Sequence, residues 1–330
     1  MGNIITYLNE FGNVSLRKMP FNEIDNLVLC TLAYNNFENI IPENAEYSIS
    51  VKKAAKLFVK MKHHSFIPKT EQILFKMSCK RRFSRAKLFN YVNFVDSNIG
   101  IQFCAFHILL NDKTTFIVFR GTDESLTGWK ESFCISCENI PSCHAAAKYL
   151  KTTMKPGKIY RIGGHSKGGY LAEAAYIMSP KQLQSQITAV YSNDGPGFSV
   201  NTTHIMPPKS LFRKLTKIVP EYNIIGSLFE NMPPTMVVKT NKSGILSHDA
   251  LTWEISKNHF VTTKKSNIKS RLISKACHIF INSLNYPQRK KLIEKIFSVL
   301  KKSGIINTIN LTHRKVINSV FLNFIKKIKH

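Results

Sequence analysis

The chain has 330 residues, 43% of them hydrophobic, which is enough for a sizeable core and excludes a disordered polypeptide. Its formal charge of +27 at pH 7 creates a field that attracts phosphate-bearing surfaces, so anionic lipid, nucleic acid and acidic substrates are all admissible partners. No basic stretch followed by an apolar one opens the sequence, and no uncharged apolar run reaches the roughly eighteen residues of a membrane span, so a cytoplasmic location is expected, with peripheral membrane contact open to the chain through its charge.

In chain order, Ile24, Leu27, Val28 and Leu32 recur at helical spacing within the segment from Phe21 to Tyr34. Residues 50–95 read as further lysine-rich helices, so 1–95 is expected to be a helical segment. Gly100 to Leu110, a turn at Asn111-Asp112, and Thr114 to Phe119 predict a hairpin ending in a buried strand. A helix over Ala145 to Lys151, a strand over Lys158 to Gly163, a helix over Tyr170 to Met178 and a strand over Thr188 to Asn193 follow. That alternation indicates parallel strands joined by right-handed crossovers.

Two more strands are placed at Leu215 to Pro220 and Thr235 to Thr240. From Ser270 to His330, Ile, Leu and Phe return every three or four residues, predicting two or three amphipathic helices. After Lys264 the only acidic residue is Glu294. The expected division is an α/β domain over 1–265, built on a mostly parallel sheet flanked by helices, and a basic helical extension over 266–330.

Seven cysteines without framework spacing read as reduced thiols. Cys134-x-x-Cys137 followed by Cys143-His144 offers thiolates and an imidazole, but the second pair is contiguous, so buried or loop cysteines are the better reading. No metal or cofactor is expected.

The segment that states a chemistry is Gly164-x-Ser166-x-Gly168, between a β-rich run and a helix-forming one. A turn from strand to helix in so few residues strains the serine backbone and leaves no room for side chains two positions away, hence the glycines. The plain alternative is a glycine-rich turn whose serine caps a helix.

A serine hydroxyl needs a histidine base, an orienting acid and oxyanion donors, in the chain order serine, acid, histidine. Asp194 ends the strand after the elbow, at the carboxyl edge where open parallel sheets keep their sites, ahead of the turn Gly195-Pro196-Gly197. His248 lies in a loop beyond the last predicted strand, with His259 as a rival base. His165, beside the serine, reads as packing support. The oxyanion donors expected are the Lys167 amide and Thr122, in the segment Phe119-Arg120-Gly121-Thr122-Asp123 that leaves the buried strand.

Phe119-Arg120-Gly121-Thr122-Asp123 with Gly128-Trp129, Gly164-His165-Ser166-Lys167-Gly168-Gly169, Asn193-Asp194-Gly195-Pro196-Gly197-Phe198, and His248-Asp249 with Trp253-Glu254, together with Pro20 to Leu27, occur in an order that resembles the Mbeg1-like proteins. These are an α/β-hydrolase-fold group related to class 3 lipases. The resemblance covers roughly the first 260 residues and implies a lipase-like sheet with a serine hydrolase site whose nucleophile is Ser166. Class 3 lipases commonly take the acid from a later strand, here near Glu221, whereas pancreatic-type lipases place it where Asp194 stands. Asp194 lies in the sharper motif.

The expectation is a serine hydrolase acting on a carboxylic ester, with a lipid or acyl ester as substrate and terminal helices available as a lid. The competing class is a catalytically silent hydrolase-shaped protein that binds anionic membrane. Nucleic acid is the weaker partner, because the basic residues are not interleaved with a regular aromatic series.

Overall fold

The computed structural model describes every residue except 68, 137–138, 199–206, 229–234 and 303–330. Its first half contains helices α1 (Ile4–Phe11) and α2 (Glu23–Leu32), the short strand β1 (Ile49–Ser50), helices α3 (Val51–Lys60) and α4 (Glu71–Cys79), and strands β2 (Lys87–Asp96), β3 (Ile101–Leu109) and β4 (Thr115–Phe119). There follow α5 (Leu126–Cys134), α6 (Pro141–Thr153), β5 (Tyr160–His165), α7 (Lys167–Met178), α8 (Lys181–Gln186), β6 (Ile187–Asn193), α9 (Lys209–Phe212), β7 (Leu215–Pro220) and β8 (Met236–Val238). A two-stranded hairpin, β9 (Ile255–Ser256) and β10 (His259–Phe260), precedes α10 (Ile268–Ser283) and α11 (Tyr286–Lys302).

Strands β1 to β8 form one sheet in sequence order. Pairings from β1 to β4 are antiparallel and those from β4 to β8 are parallel. This is an α/β-hydrolase-like architecture. The alternation of side chains along each strand divides the core into two layers. Phe116 and Val118 of β4 join Cys104, Phe106 and Ile108 of β3 beneath α1 to α4. Ile117 and Phe119 join Phe103, Ala105 and Ile162 beneath α6 and α7. Every residue of β4 is therefore buried, which is why it reads as a continuous apolar run.

The expected helical segment over 1–95 is corrected at its end, because Lys87–Asp96 is strand β2. Leu88 pairs with Ile49 on one side and Ile108 on the other, and Phe94 faces Phe103. A bulge between Phe89 and Val92, with Asn90 at φ +55°, breaks the two-residue period that would have marked a strand. Helix α5, absent from the sequence reading, carries Ser125 as its N-cap, accepting from the Gly128 amide.

At the C-terminal end, α11 seats on α5. Ile293 and Phe297 bury against Leu126 and Cys134, and the Phe297 ring meets Phe133 edge-on at 5.6 Å. Arg289 Nη1 donates to the Ser136 carbonyl at 2.6 Å, and Lys130 pairs with Glu294 at 2.8 Å. The third helix expected towards His330 lies outside the described residues.

One buried ion pair ties the N-terminal layer together. Arg82 donates to both carboxylate oxygens of Asp25 and to the carbonyls of Val14, Met19 and Pro20, while Tyr7 donates to the same carboxylate at 2.8 Å. Neither charged side chain reaches solvent. Removing one partner strands the other charge in a dry environment, whereas the complete set satisfies every donor. Arg82→Met is therefore expected to lower unfolding stability by about 3–5 kcal/mol in a urea titration. A loss smaller than that of Tyr7→Phe would contradict this account.

Candidate active site

Strand β5 runs into α7 through Ser166, whose backbone sits at φ +58°, ψ −131°. That region is close to glycine-only territory and costs on the order of 1–3 kcal/mol. What holds it there is close backbone approach. A Cβ on Gly164 would stand 2.2 Å from the Gly168 carbonyl carbon, and one on Gly168 would stand 2.1 Å from the Phe119 carbonyl oxygen. The two glycines thus let α7 start directly against β4 and β5. The Ser166 amide donates to the Asn193 carbonyl at 2.9 Å, tying the elbow to the end of β6.

Behind the elbow stands a polar stripe of α2 that the sequence reading passed over. Asn26 Nδ2 donates to Asn193 Oδ1 at 2.8 Å, and Asn193 Nδ2 donates to the Gly164 carbonyl at 3.0 Å. Cys30 lies against both asparagines. Tyr34, just past the end of α2, reaches His165. Asn26, Cys30 and Tyr34 recur at four-residue spacing, the same signal that identified the helix, carried by polar side chains.

Asp194 leaves β6 at φ +48°, with its amide bonded to the Ile218 carbonyl at 2.8 Å. Its carboxylate is buried and accepts on both oxygens, from the Gly226 amide at 3.0 Å and from His248 Nδ1 at 2.6 Å. A Cβ on Gly226 would come within 2.4 Å of Asp194 Oδ1, so glycine is required there. Nothing in the spacing of the motifs announced Gly226.

His248 ends a 3-10 turn, Gly244–His248, and stays partly exposed. Its loop is fixed from three sides. Trp253 Nε1 donates to the Ser247 carbonyl at 2.9 Å, the Ser247 hydroxyl lies between the Gly244 and Tyr222 carbonyls, and His165 Nε2 bonds to the His248 carbonyl at 2.8 Å. Burial pulls the His165 pKa down to about 3, so this ring is neutral. Because a carbonyl only accepts, Nε2 carries the His165 proton and Nδ1 accepts from the Tyr34 hydroxyl at 2.9 Å. His165 is thus a rigid support for the loop of its neighbour, at 4.7 Å between ring centres.

The rival residues are occupied differently. Glu221 Oε1 accepts the Thr240 amide at 3.2 Å, and His259 is exposed on β10 opposite Ser256.

Lys167 and Thr122 are held from below. The Lys167 amide opens α7, where first-turn amides have no acceptor within the helix. Its ammonium turns inward to Glu131 Oε2 at 2.7 Å and to both oxygens of Gln102, at 2.6 and 2.8 Å. Burial draws this ammonium below the usual lysine pKa, and the Glu131 carboxylate opposes the shift. Thr122 Oγ1 shares a hydrogen bond with Ser132 Oγ at 2.6 Å, so its hydroxyl is already engaged and its amide is the donor that remains to be considered. The loop is braced by Arg120, which pairs with Asp123 at 3.0 Å and lies 4.2 Å from the centre of the Phe66 ring. Gly121 leaves no room for a Cβ, which would stand 2.6 Å from the His165 carbonyl oxygen as well as 2.1 Å from the Tyr34 hydroxyl.

Among the described residues no group of three or more His, Cys, Asp or Glu side chains is arranged to hold a metal ion, and Cys137 lies outside the described residues. Among the same residues, no helix is long and apolar enough to cross a membrane.

In structure, the chain is similar to M37 lipase, with 15% identity and a TM-score of 0.40 over 78% of this chain and 81% of that one. It is also similar to the extracellular lipase LipA of Serratia marcescens, with 12% identity and a TM-score of 0.36 over 64% and 43% of the two chains. No curated protein matches it in sequence. The profile of the Mbeg1-like family matches residues 77–298, taking in β2 to β8, the loop of His248 and most of α11, and the chain belongs to that family.

Proposed function

We propose that this protein is a serine ester hydrolase in which Ser166, His248 and Asp194 act together. The observation that carries the reading is the 2.6 Å bond between His248 Nδ1 and the buried Asp194 carboxylate, in a chain whose strained Ser166 heads α7. Donation from Nδ1 leaves Nε2 as the basic nitrogen of the ring.

In the proposed reaction Ser166 Oγ adds to the ester carbonyl and its proton passes to His248 Nε2. Asp194 keeps the imidazole in its tautomer and stabilises the imidazolium, without itself taking the proton. The oxyanion is received by the Lys167 and Thr122 amides, in a frame fixed before substrate arrives. Collapse expels the alcohol, which takes the proton back from Nε2, and water repeats the sequence to release the acid and free Ser166. A lipid or acyl ester is the substrate class proposed.

Reaction with a fluorophosphonate probe tests the nucleophile directly. The wild-type chain is expected to be labelled covalently, and Ser166→Ala is expected to lose the label. An unlabelled wild type that remains folded would favour the catalytically silent binding protein instead.

A second measurement separates the two acids. Asp194→Asn is expected to lower kcat on a short-chain ester by about 10⁴-fold, as loss of the orienting carboxylate does in this type of site. Glu221→Gln is expected to leave kcat nearly unchanged. The reverse ranking would transfer the acid role to Glu221.

A further inference from the structure

The charge of the chain is not spread evenly near the site. Between residues 51 and 95 Glu71 is the only acidic residue, and of the many basic side chains there only Arg82 is buried. On α3, Val51, Ala54, Ala55 and Phe58 face the core, and Lys52, Lys53, Lys56 and Lys60 are exposed. At about 100° per residue, those four lysines and Val59 fall within one arc of roughly 120°.

Apolar side chains stand among these charges. Val59 is 62% exposed, Met61 41% and Phe75, on α4, 36%. The Phe75 ring packs against Phe58 at 6.1 Å, so the exposed ring of α4 lies next to the C-terminal end of α3.

The connector between α3 and α4 leads to the site. Phe66 covers the Arg120 guanidinium that braces the Thr122 loop, and its amide bonds to the Tyr34 carbonyl at 2.8 Å. His64 Nε2 is 4.0 Å from Glu124, in the same loop as Thr122. Lys69 acts electrostatically on Asp249, the residue after His248. Residues on this connector therefore touch the proposed oxyanion loop, and Lys69 is near enough to the loop of the proposed base for its charge to be felt there.

We propose that the exposed face of α3, with the adjoining flank of α4, docks on an anionic lipid surface and brings that surface to the rim of the Ser166 site. The role in delivering substrate rests on the ester hydrolase reading, whereas the docking itself does not. Lysines supply attraction that is additive and screened by salt, and Val59, Met61 and Phe75 supply contacts that reach into the boundary between headgroups and acyl chains. Nucleic acid would match the lysines but offers nothing to Val59 and Met61. Helix α10 also exposes Ile268, Leu272 and Ile279 near basic residues, so the C-terminal helices serve as the control.

The test is cosedimentation of the full chain, in a Ser166→Ala background that prevents turnover, with vesicles of phosphatidylcholine alone or mixed with phosphatidylserine, at low and high salt. Binding is expected only to the mixed vesicles and is expected to weaken with salt. Lys52→Ser, Lys56→Ser and Lys60→Ser together are expected to reduce partitioning by about a hundredfold. Val59→Ser with Met61→Ser is expected to reduce it by about tenfold on vesicles and to leave duplex DNA binding unchanged.

Lys275→Ser, Lys291→Ser and Lys295→Ser together remove the same number of charges from exposed positions on α10 and α11 and are expected to have a much smaller effect. The proposal is overturned if the intact chain ignores anionic vesicles, if the C-terminal set weakens binding as much as the α3 set, or if the Val59 and Met61 changes have no effect. Vesicle binding without probe labelling would remove the hydrolase and leave the docking face standing. Labelling without vesicle binding would do the reverse.

Discussion

The site depends on a steric constraint: three backbone segments meet with no room for a Cβ between them. Gly164, Gly168 and the Phe119 carbonyl pack so closely that α7 begins at the very end of β5. Ser166 is left in a conformation that a free chain would avoid. The strain is tolerated because the surrounding structure determines it several times over, through the Asn193 carbonyl and the asparagine pair that reaches across to α2. The same contacts that fix the serine also fix the ends of β4 and β6, from which the Thr122 loop and Asp194 emerge.

Around this elbow the polar groups are arranged in depth. Asp194 is buried with both oxygens occupied, and His165, held neutral by burial, links Tyr34 of the N-terminal layer to the loop of His248. Lys167 anchors downward to Glu131 on α5, which also carries α11. Asp194 and Lys167 are buried charges held by close hydrogen-bond partners, and removing a partner would leave a charge stranded, so these groups hold the loops in place. The N-terminal helices and α5 are in this sense parts of the site's support.

Much of this was legible in the sequence. The hairpin before β4, the strands of the parallel half and the elbow itself follow from apolar runs and glycine placement, and β7 falls where it was expected. What escaped has identifiable causes. Strand β2 was hidden by the bulge at Asn90, which shifts the side-chain period midway. The Asn26, Cys30 and Tyr34 stripe was hidden because only apolar residues were counted on α2. Gly226 could not be found, since its role is to approach a carboxylate thirty-two positions earlier in the chain. The pairing of His248 with Asp194 is likewise a tertiary fact: chain order suggested it, but Glu221 and His259 satisfied the same order.

In the proposed mechanism Ser166 Oγ, the His248 ring and the Lys167 and Thr122 amides serve one reacting carbonyl. That convergence can be seen in a crystal structure of the chain after reaction with a phosphonate ester. Phosphorus is expected to be bonded to Ser166 Oγ, with a phosphoryl oxygen about 3 Å from both amides and His248 Nε2 facing the position of the departing group. Phosphorus attached to a different side chain, or His248 turned away with Asp194 bonded elsewhere, would contradict it.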